Sequence, residues 1–319
     1  MKHISNAFRW LKSNKSIIVV FFGSILLWTA LIFPFGDLSD LLSSKVAELT
    51  QNQLFLQFSN LQVSLWPFGL KFSDVSVDSP MIGPVEAKEL TLSPAIGSLF
   101  TKTPGGSVLA NGIFRGDIDI SMKPGSKSEA GVDRQKIEIH ATHLNLQDLH
   151  DVVQLPLSVK GQLNIEGTVL TDLALAEQPE AELVIQADKF ELPSQTINTA
   201  MGPINVPDLK MSSVEIKGHM NAGKIVIDDG KFGRDGDEIK GSIKGDLMLS
   251  LHNQGGLQTQ VGAYNFDIDL TVKSNLEDRL SLFLVAVSQF KTPAGDSSRY
   301  RFKLNGQNSY TPPSMSILK

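Results

Sequence analysis

The segment Ile239-Lys-Gly-Ser-Ile243-Lys-Gly-Asp-Leu247-Met-Leu249-Ser-Leu251 decides how this chain folds. Ile239, Gly241, Ile243, Gly245, Leu247, Leu249 and Leu251 share one parity. Side chains in a strand point alternately to opposite faces, so a period of two describes a strand with one buried and one wet face. The next such segment repeats the pattern, with Tyr264, Phe266, Ile268, Leu270 and Val272 on one parity. An earlier one does so with Leu163, Ile165, Gly167 and Val169.

The same period runs through most of the chain beyond about residue 54. Strands are predicted at 61–66, 70–77, 85–92, 113–120, 136–144, 159–170, 182–192, 210–220, 223–232, 238–251, 264–273, 280–290 and 299–306. Short links rich in Gly, Asp, Asn and Pro favour hairpins, so the sheet should be largely antiparallel. Residues 123–135 read as a mobile polar loop, residues 193–209, with three prolines, as an irregular insert, and residues 145–154 as one short helix. Almost no helix remains to cover a long apolar sheet face. Such a sheet must pack as a sandwich, close as a barrel, or curl into an open trough. The expected fold is mainly β: an N-terminal transmembrane helix, a short amphipathic helix, then a long curved antiparallel sheet forming a groove, with a β-sandwich as the alternative. A groove would be lined by Leu163, Ile165, Val169, Ile239, Ile243, Leu247, Leu249, Phe266, Ile268 and Leu270. An apolar surface of that size implies a partner, and acyl chains would suit it.

The N-terminus supplies the second strong signal. Ser16 to Phe35 carries no charge, with Lys2, Arg9, Lys12 and Lys15 before it and Asp37 and Asp40 after it. Twenty residues at ~1.5 Å rise match a hydrocarbon core of ~30 Å. Ile17, Val20, Phe22, Ile25, Leu27, Trp28, Leu31 and Phe33 would form this anchor. The basic side stays in the cytoplasm. A cleavable signal is the competing reading, but the run is long and Leu31-Ile-Phe-Pro-Phe35 is a poor cleavage site. The chain then divides into a cytoplasmic tail (1–15), an anchor (16–35), an amphipathic helix and linker (36–53) and a β-rich domain (54–319). In 37–50, Leu38, Leu41, Leu42, Val46 and Leu49 share a helical face, and Asp37 can cap its start. That helix could lie on the bilayer, plug the end of the sheet, or pack on it.

Composition excludes several functions. The 319 residues carry a net charge of −5, so no basic field draws in nucleic acid. Cysteine is absent, which removes thiol nucleophiles, cysteine-ligated zinc and thiol redox chemistry. His140 and His143 would point to opposite faces of a strand and make no metal pair. Gly218-His-Met-Asn-Ala-Gly223-Lys224-Ile225 nearly matches a phosphate loop, but has Ile225 in place of the required Ser or Thr and lies between two strands. Asp228, Asp229, Asp235, Asp237 and Glu238 cluster among glycines, in a spacing unlike an EF-hand and explicable as turns. Neither catalysis nor a metal or other cofactor is expected.

Several short motifs, taken in order, resemble the type II secretion system protein N family, in the form related to AsmA-like envelope proteins. Phe33-Pro-Phe35 leads into the amphipathic helix; Leu61-Gln-Val-Ser-Leu-Trp-Pro-Phe-Gly-Leu70 and Phe72-Ser-Asp-Val-Ser-Val77 make a strand, a Pro-Gly turn and a strand. Gly223-Lys-Ile-Val-Ile227 precedes Gly236-Asp-Glu-Ile-Lys-Gly-Ser-Ile243, and Phe302-Lys-Leu-Asn-Gly306 precedes Pro312. The resemblance implies a non-enzymatic protein of a Gram-negative inner membrane, its bulk in the periplasm. It would act as an accessory of the type II secretion apparatus, with other secretion components as partners. The AsmA-like kinship implies instead a curved β-groove that contacts or conducts lipid in envelope biogenesis.

Overall fold

The computed structural model describes residues 39–50, 53–65, 68–79, 82–95, 104–128, 130–153, 157–199, 202–253, 257–308 and 310–318, with Val20, Phe21, Gly23, Ser24 and Trp28. Helix α1 (Ser39–Leu49) precedes strands β1 (Phe55–Gln57), β2 (Asn60–Leu65), β3 (Phe68–Ser79), β4 (Ile82–Pro94), β5 (Gly106–Ile113), β6 (Gly116–Pro124) and β7 (Gln135–Asn145). Helix α2 (Leu146–Val153) leads to β8 (Lys160–Thr171), β9 (Glu180–Leu192), β10 (Gln195–Thr199), β11 (Gly202–Val206), β12 (Leu209–Asn221), β13 (Lys224–Phe232), β14 (Ile239–Asn253) and β15 (Leu257–Lys273). Helices α3 (Ser274–Arg279) and α4 (Ser281–Leu284) and a 3-10 helix (Val285–Phe290) are followed by β16 (Lys291–Ala294), β17 (Ser297–Gly306) and β18 (Ser314–Ile317).

Sixteen of these strands form one antiparallel sheet, ordered β1-β3-β4-β5-β6-β7-β8-β9-β12-β13-β14-β15-β17-β16, with β2 on β3 and β18 on β17. β10 and β11 make a separate hairpin. The sheet is not closed, and among the described residues no second large sheet faces it, so neither the sandwich nor the barrel is formed.

The anchor expected at 16–35 falls largely outside the described residues. Val20, Phe21, Gly23, Ser24 and Trp28 are helical and exposed. Among the described residues no helix is long and apolar enough to cross a membrane. Asp37 and Leu38 also lie outside. The following helix forms and packs on the sheet, its Leu42 against Leu61, Phe72 and Val75, while Leu41 is exposed.

Four other expectations are corrected. The strand read at 113–120 is broken by a turn at Phe114 and Arg115, both at positive φ (47° and 62°), and β5 ends there. The turn lacks the Asn-Gly or Asp-Gly pair that marks such conformations in sequence. The strand read at 280–290 is helical. Leu276, Leu280, Leu284 and Val287 recur at helical spacing and pack on one cluster with Phe290, Tyr300 and Phe302. An uninterrupted apolar run satisfies both periods, so alternation alone misassigns it. The insert at 193–209 holds the β10–β11 hairpin, with Ile197 opposite Ile204. The loop read at 123–135 overlaps the ends of β6 and β7 and is tethered: Ser128 Oγ donates to Glu177 at 3.0 Å, and Arg134 reaches Glu180 at 2.6 Å.

Register carries the apolar parity from strand to strand. Directly paired residues share a face, so the pairs define rows across the sheet. One row runs Leu70, Leu92, Val108, Ile120, Ile139, Gly167, Leu183, Gly218, Ile227, Gly245, Phe266, Leu304 and Met315. The next runs Ala110, Ile118, Ala141, Ile165, Ile185, Ile216, Gly230, Ile243, Ile268, Phe302 and Ile317. A third holds Leu144, Leu163, Ala187, Val214, Phe232, Gly241, Leu270 and Tyr300, and a fourth Met122, Ile137, Val169, Ala181, Met220, Ile225, Leu247 and Tyr264. No charged residue stands in any of them. β-bulges at Ala141/Leu144, Lys217/Gly218 and Ile227/Gly230 shift register and switch the odd–even parity within β7 and β13, so that the apolar residues on either side of each bulge stay on one face. The opposite face carries the ion pairs, among them Lys71–Glu89, Lys123–Glu138, Lys231–Asp229 and Arg299–Asp269.

Glycine makes close approach possible within these rows. Gly245 has φ 148°, and a Cβ there would lie 2.0 Å from the Asn265 carbonyl oxygen and 2.8 Å from Phe266 Cα. Gly245→Ala is expected to cost about 3 kcal/mol through backbone strain and displaced neighbours. The melting temperature should drop on the order of 5–10 °C in a calorimetric scan; an unchanged value would show that β14 can relax there.

Apart from Ala110 and Val206, the buried apolar side chains of the described residues fall into three separate clusters, each under a helical element. Leu42 of α1 sits over Leu61, Phe72 and Val75; Leu146 and Leu149 of α2 over Ala141, Leu144, Leu163 and Ala187; Leu276, Val287 and Phe290 over Val272, Tyr300 and Phe302. All three cover the Leu144–Tyr300 side of the apolar face. Helices therefore cover one margin and leave the rest open.

The last cluster is fixed by an ionic group. Glu277 accepts from Tyr300 Oη at 2.8 Å and Ser298 Oγ at 2.5 Å, and pairs with Lys291. Lys291 first, then Ser298 and Tyr300, hold the Glu277 carboxyl below its ordinary value against the opposing effect of burial. A depressed carboxylate contributes stability that is present above the unfolded value of ~4.3 and is lost as pH falls through the folded value. The acid limb of a melting-temperature profile should therefore be shallower in Glu277→Gln than in the wild type. Parallel limbs would remove Glu277 from the acid response.

Candidate functional site

The candidate site is the apolar face itself. Ile239, Ile243, Leu247 and Leu249 come from β14; Phe266, Ile268 and Leu270 from β15; Leu163, Ile165 and Val169 from β8. Ile239 is opposite Val272, Ile243 opposite Ile268, Leu247 opposite Tyr264, and Leu249 opposite Val261. β8 stands apart from β14, separated by β9, β12 and β13, whose Ala181, Leu183, Ile185, Ile216, Gly218, Ile225 and Ile227 continue the same rows. The ten expected residues thus lie on one face, in two groups joined by apolar positions.

They differ in cover. Leu163 is buried under α2. Ile239, Ile268 and Leu270 pack against the cluster under α3 and the 3-10 helix. Val169, Ile243, Leu247, Leu249 and Phe266 are half-buried in the sheet, outside all three clusters. Further along, Val108 and Leu183 are 36% and 38% exposed. Fully dry core positions would be near zero, as Val272 and Leu276 are.

Side chains pack closely on one another along this surface. The Tyr264 and Phe266 rings stack at 5.9 Å, and Tyr264 lies over Gly306, where a Cβ would meet the ring at 2.2 Å. At the β4–β7 end, a hollow of about 430 Å³ is lined by Leu92, Pro94, Val108, Ile120, Met122 and Ile137. This half of the face was the part missed in the sequence. Val108-Leu109-Ala110 has no alternation, and the unmarked turn at Phe114 hid the boundary of β5. The parity of Ile118, Ile120 and Met122 was a usable signal, as was that of Ile137, Ile139 and Ala141.

The polar face holds a larger hollow, about 650 Å³, with Lys136, Glu182, Lys217, His219 and Asp228 around it. Most of its charged groups are already paired: His219 Nδ1 is 2.8 Å from Asp228 Oδ2, Lys217 pairs with Glu215 and Lys136 with Glu138. Lys136, Lys123 and Ser121 together hold the Glu138 carboxyl down at about 2. The near-phosphate loop is a tight turn, with Ala222 and Gly223 at positive φ between β12 and β13. Asp237 accepts from Ser212 N, Ser212 Oγ and Arg234 N at 2.7–2.8 Å, which is turn chemistry. His140 lies opposite Asp119 and Glu166, while the His143 amide, at a bulge, donates to Asn164. No group of three or more metal-ligating side chains occurs among the described residues.

Compared with known proteins, the chain matches no family model, no curated protein and no solved structure.

Proposed function

We propose that the apolar face is an open trough that holds lipid acyl chains, and that the protein acts by binding, not catalysis. The observation that supports this is the unbroken set of charge-free rows, half-buried and not dry over most of their length, with Val108 and Leu183 exposed. The longest row crosses thirteen strands. At ~4.8 Å per strand it measures about 58 Å along the sheet. That is several times the ~15 Å depth of one bilayer leaflet, so more than one lipid would fit end to end. Leaving such a surface to water is unfavourable by about 25 cal/mol per Å² of apolar area, and bound chains would remove that cost. Bulges and inward-facing glycines are the devices that curve a sheet, and both recur in these rows.

In this reading residues 16–35 anchor the chain in a bilayer, and the sheet stands beyond it as an AsmA-like groove. The reading as an accessory of type II secretion rests on short motifs alone and makes no use of the apolar face. The test is lipid extraction and mass spectrometry of the full chain purified in mild detergent. At least one lipid per chain is expected to survive purification; a lipid-free, folded protein that also fails to bind a fluorescent fatty acid would overturn the proposal.

A further inference from the structure

Leu280 to Phe290 carries no charge, and its structure has two apolar sides. Leu280, Leu284, Val287 and Phe290 pack inward on Val272, Tyr300 and Phe302. The other side presents Leu282 at 66%, Val285 at 69% and Phe283 at 40% exposure. This knuckle caps the β15–β17 end of the sheet, whereas α1 packs at the β1–β3 end. Its inner side rests on Val272, Tyr300 and Phe302 of the apolar face, and its outer side is turned to solvent.

We infer that Leu282, Phe283 and Val285 enter a lipid bilayer, giving the sheet a membrane contact at the end remote from α1. Two observations select the occupant. Three side chains are far too few to supply the ~800 Å² per partner that a stable protein interface buries. They also protrude from a short helical turn with no charged residue between Leu280 and Phe290 to orient a protein partner, and shallow insertion of a few large apolar side chains is how an interfacial element holds a bilayer. The purpose of the contact, passing acyl chains to or from the trough, rests on the function proposed above.

The chain has no cysteine, so one can be placed at will. Leu282→Cys, labelled with an environment-sensitive fluorophore, is placed in nanodiscs as the full chain, which occupies residues 16–35. Phosphatidylcholine vesicles carrying a doxyl quencher are then added. A several-fold loss of emission relative to unquenched vesicles is expected at position 282 and none at Glu166→Cys on the polar face. Adding Phe283→Ser and Val285→Ser should weaken vesicle partition about tenfold while fatty-acid binding persists. No quenching at position 282 in protein that still binds fatty acid overturns the inference alone. An emission change that follows protein concentration without vesicles overturns it in favour of contact between copies. Quenching in protein that binds no fatty acid keeps the contact and overturns the trough.

Discussion

Leu183→Asp is expected to strip acyl chains from the protein while leaving it folded. Leu183 stands on β9 between Gly167 and Gly218, is 38% exposed, and lies outside all three buried clusters. A carboxylate there keeps access to water, so the fold should lose only about 1–2 kcal/mol. An acyl chain laid across it would have to desolvate the charge, which is strongly unfavourable without a partner. Bound lipid should fall on the order of tenfold, equivalent to ~1.4 kcal/mol. Val184→Asp is the matched control. It is the next residue, on the polar face, opposite Glu166 and Lys217. Lipid retention should be unchanged in it. Equal loss from both variants would mean that the apolar face is not the site. Ile268 is a poorer reporter, because it also packs against the cluster under the 3-10 helix, so a charge there disturbs stability and surface together.

Leu276→Ala should produce the largest stability loss. Leu276 has no exposed surface and joins Val272, Val287, Phe290, Tyr300 and Phe302. Truncating a fully buried leucine costs ~2–5 kcal/mol through lost transfer energy and the cavity left behind. The upper half of that range is expected, because Tyr300 is pinned to Glu277 and cannot collapse into the space. The damage should be local in an elongated sheet with three separate clusters. Hydrogen exchange should accelerate in β15, β17 and the segment 274–290 and stay near wild-type rates in β7 and β8, which pack under α2. Uniform acceleration along the whole sheet would mean that the clusters unfold as one unit.

Much of the fold was legible. Alternation in 239–251 and 264–272 was enough to place Ile243 and Ile268 on one face, because period two admits a single arrangement once a strand exists. The helices expected at 37–50, from apolar spacing, and at 145–154 form as Ser39–Leu49 and Leu146–Val153. The run 280–290 was misread because consecutive apolar residues satisfy two periods, and only packing on Tyr300 and Phe302 chose the helical one. β5 was lost for a related reason: Leu109 interrupts its alternation, and Phe114-Arg115 turn without the residues that announce a turn.

By itself the sequence determined that each strand has an apolar and a polar side, since that depends only on neighbours two apart. It also determined that no thiol, strong basic field or EF-hand spacing is present. It left open what the apolar sides face, because a sandwich, a barrel and an open sheet all use the same alternation. Only tertiary structure decided this, through pairings between distant segments. Bulges such as Ala141/Leu144 and Ile227/Gly230 switch the odd–even parity within a strand and so keep the apolar residues on one face, and the pairings place residues from Leu70 to Met315 in one charge-free row. The helices, too few to cover more than one margin, leave the middle of that row, from Val108 to Phe266, outside the buried clusters.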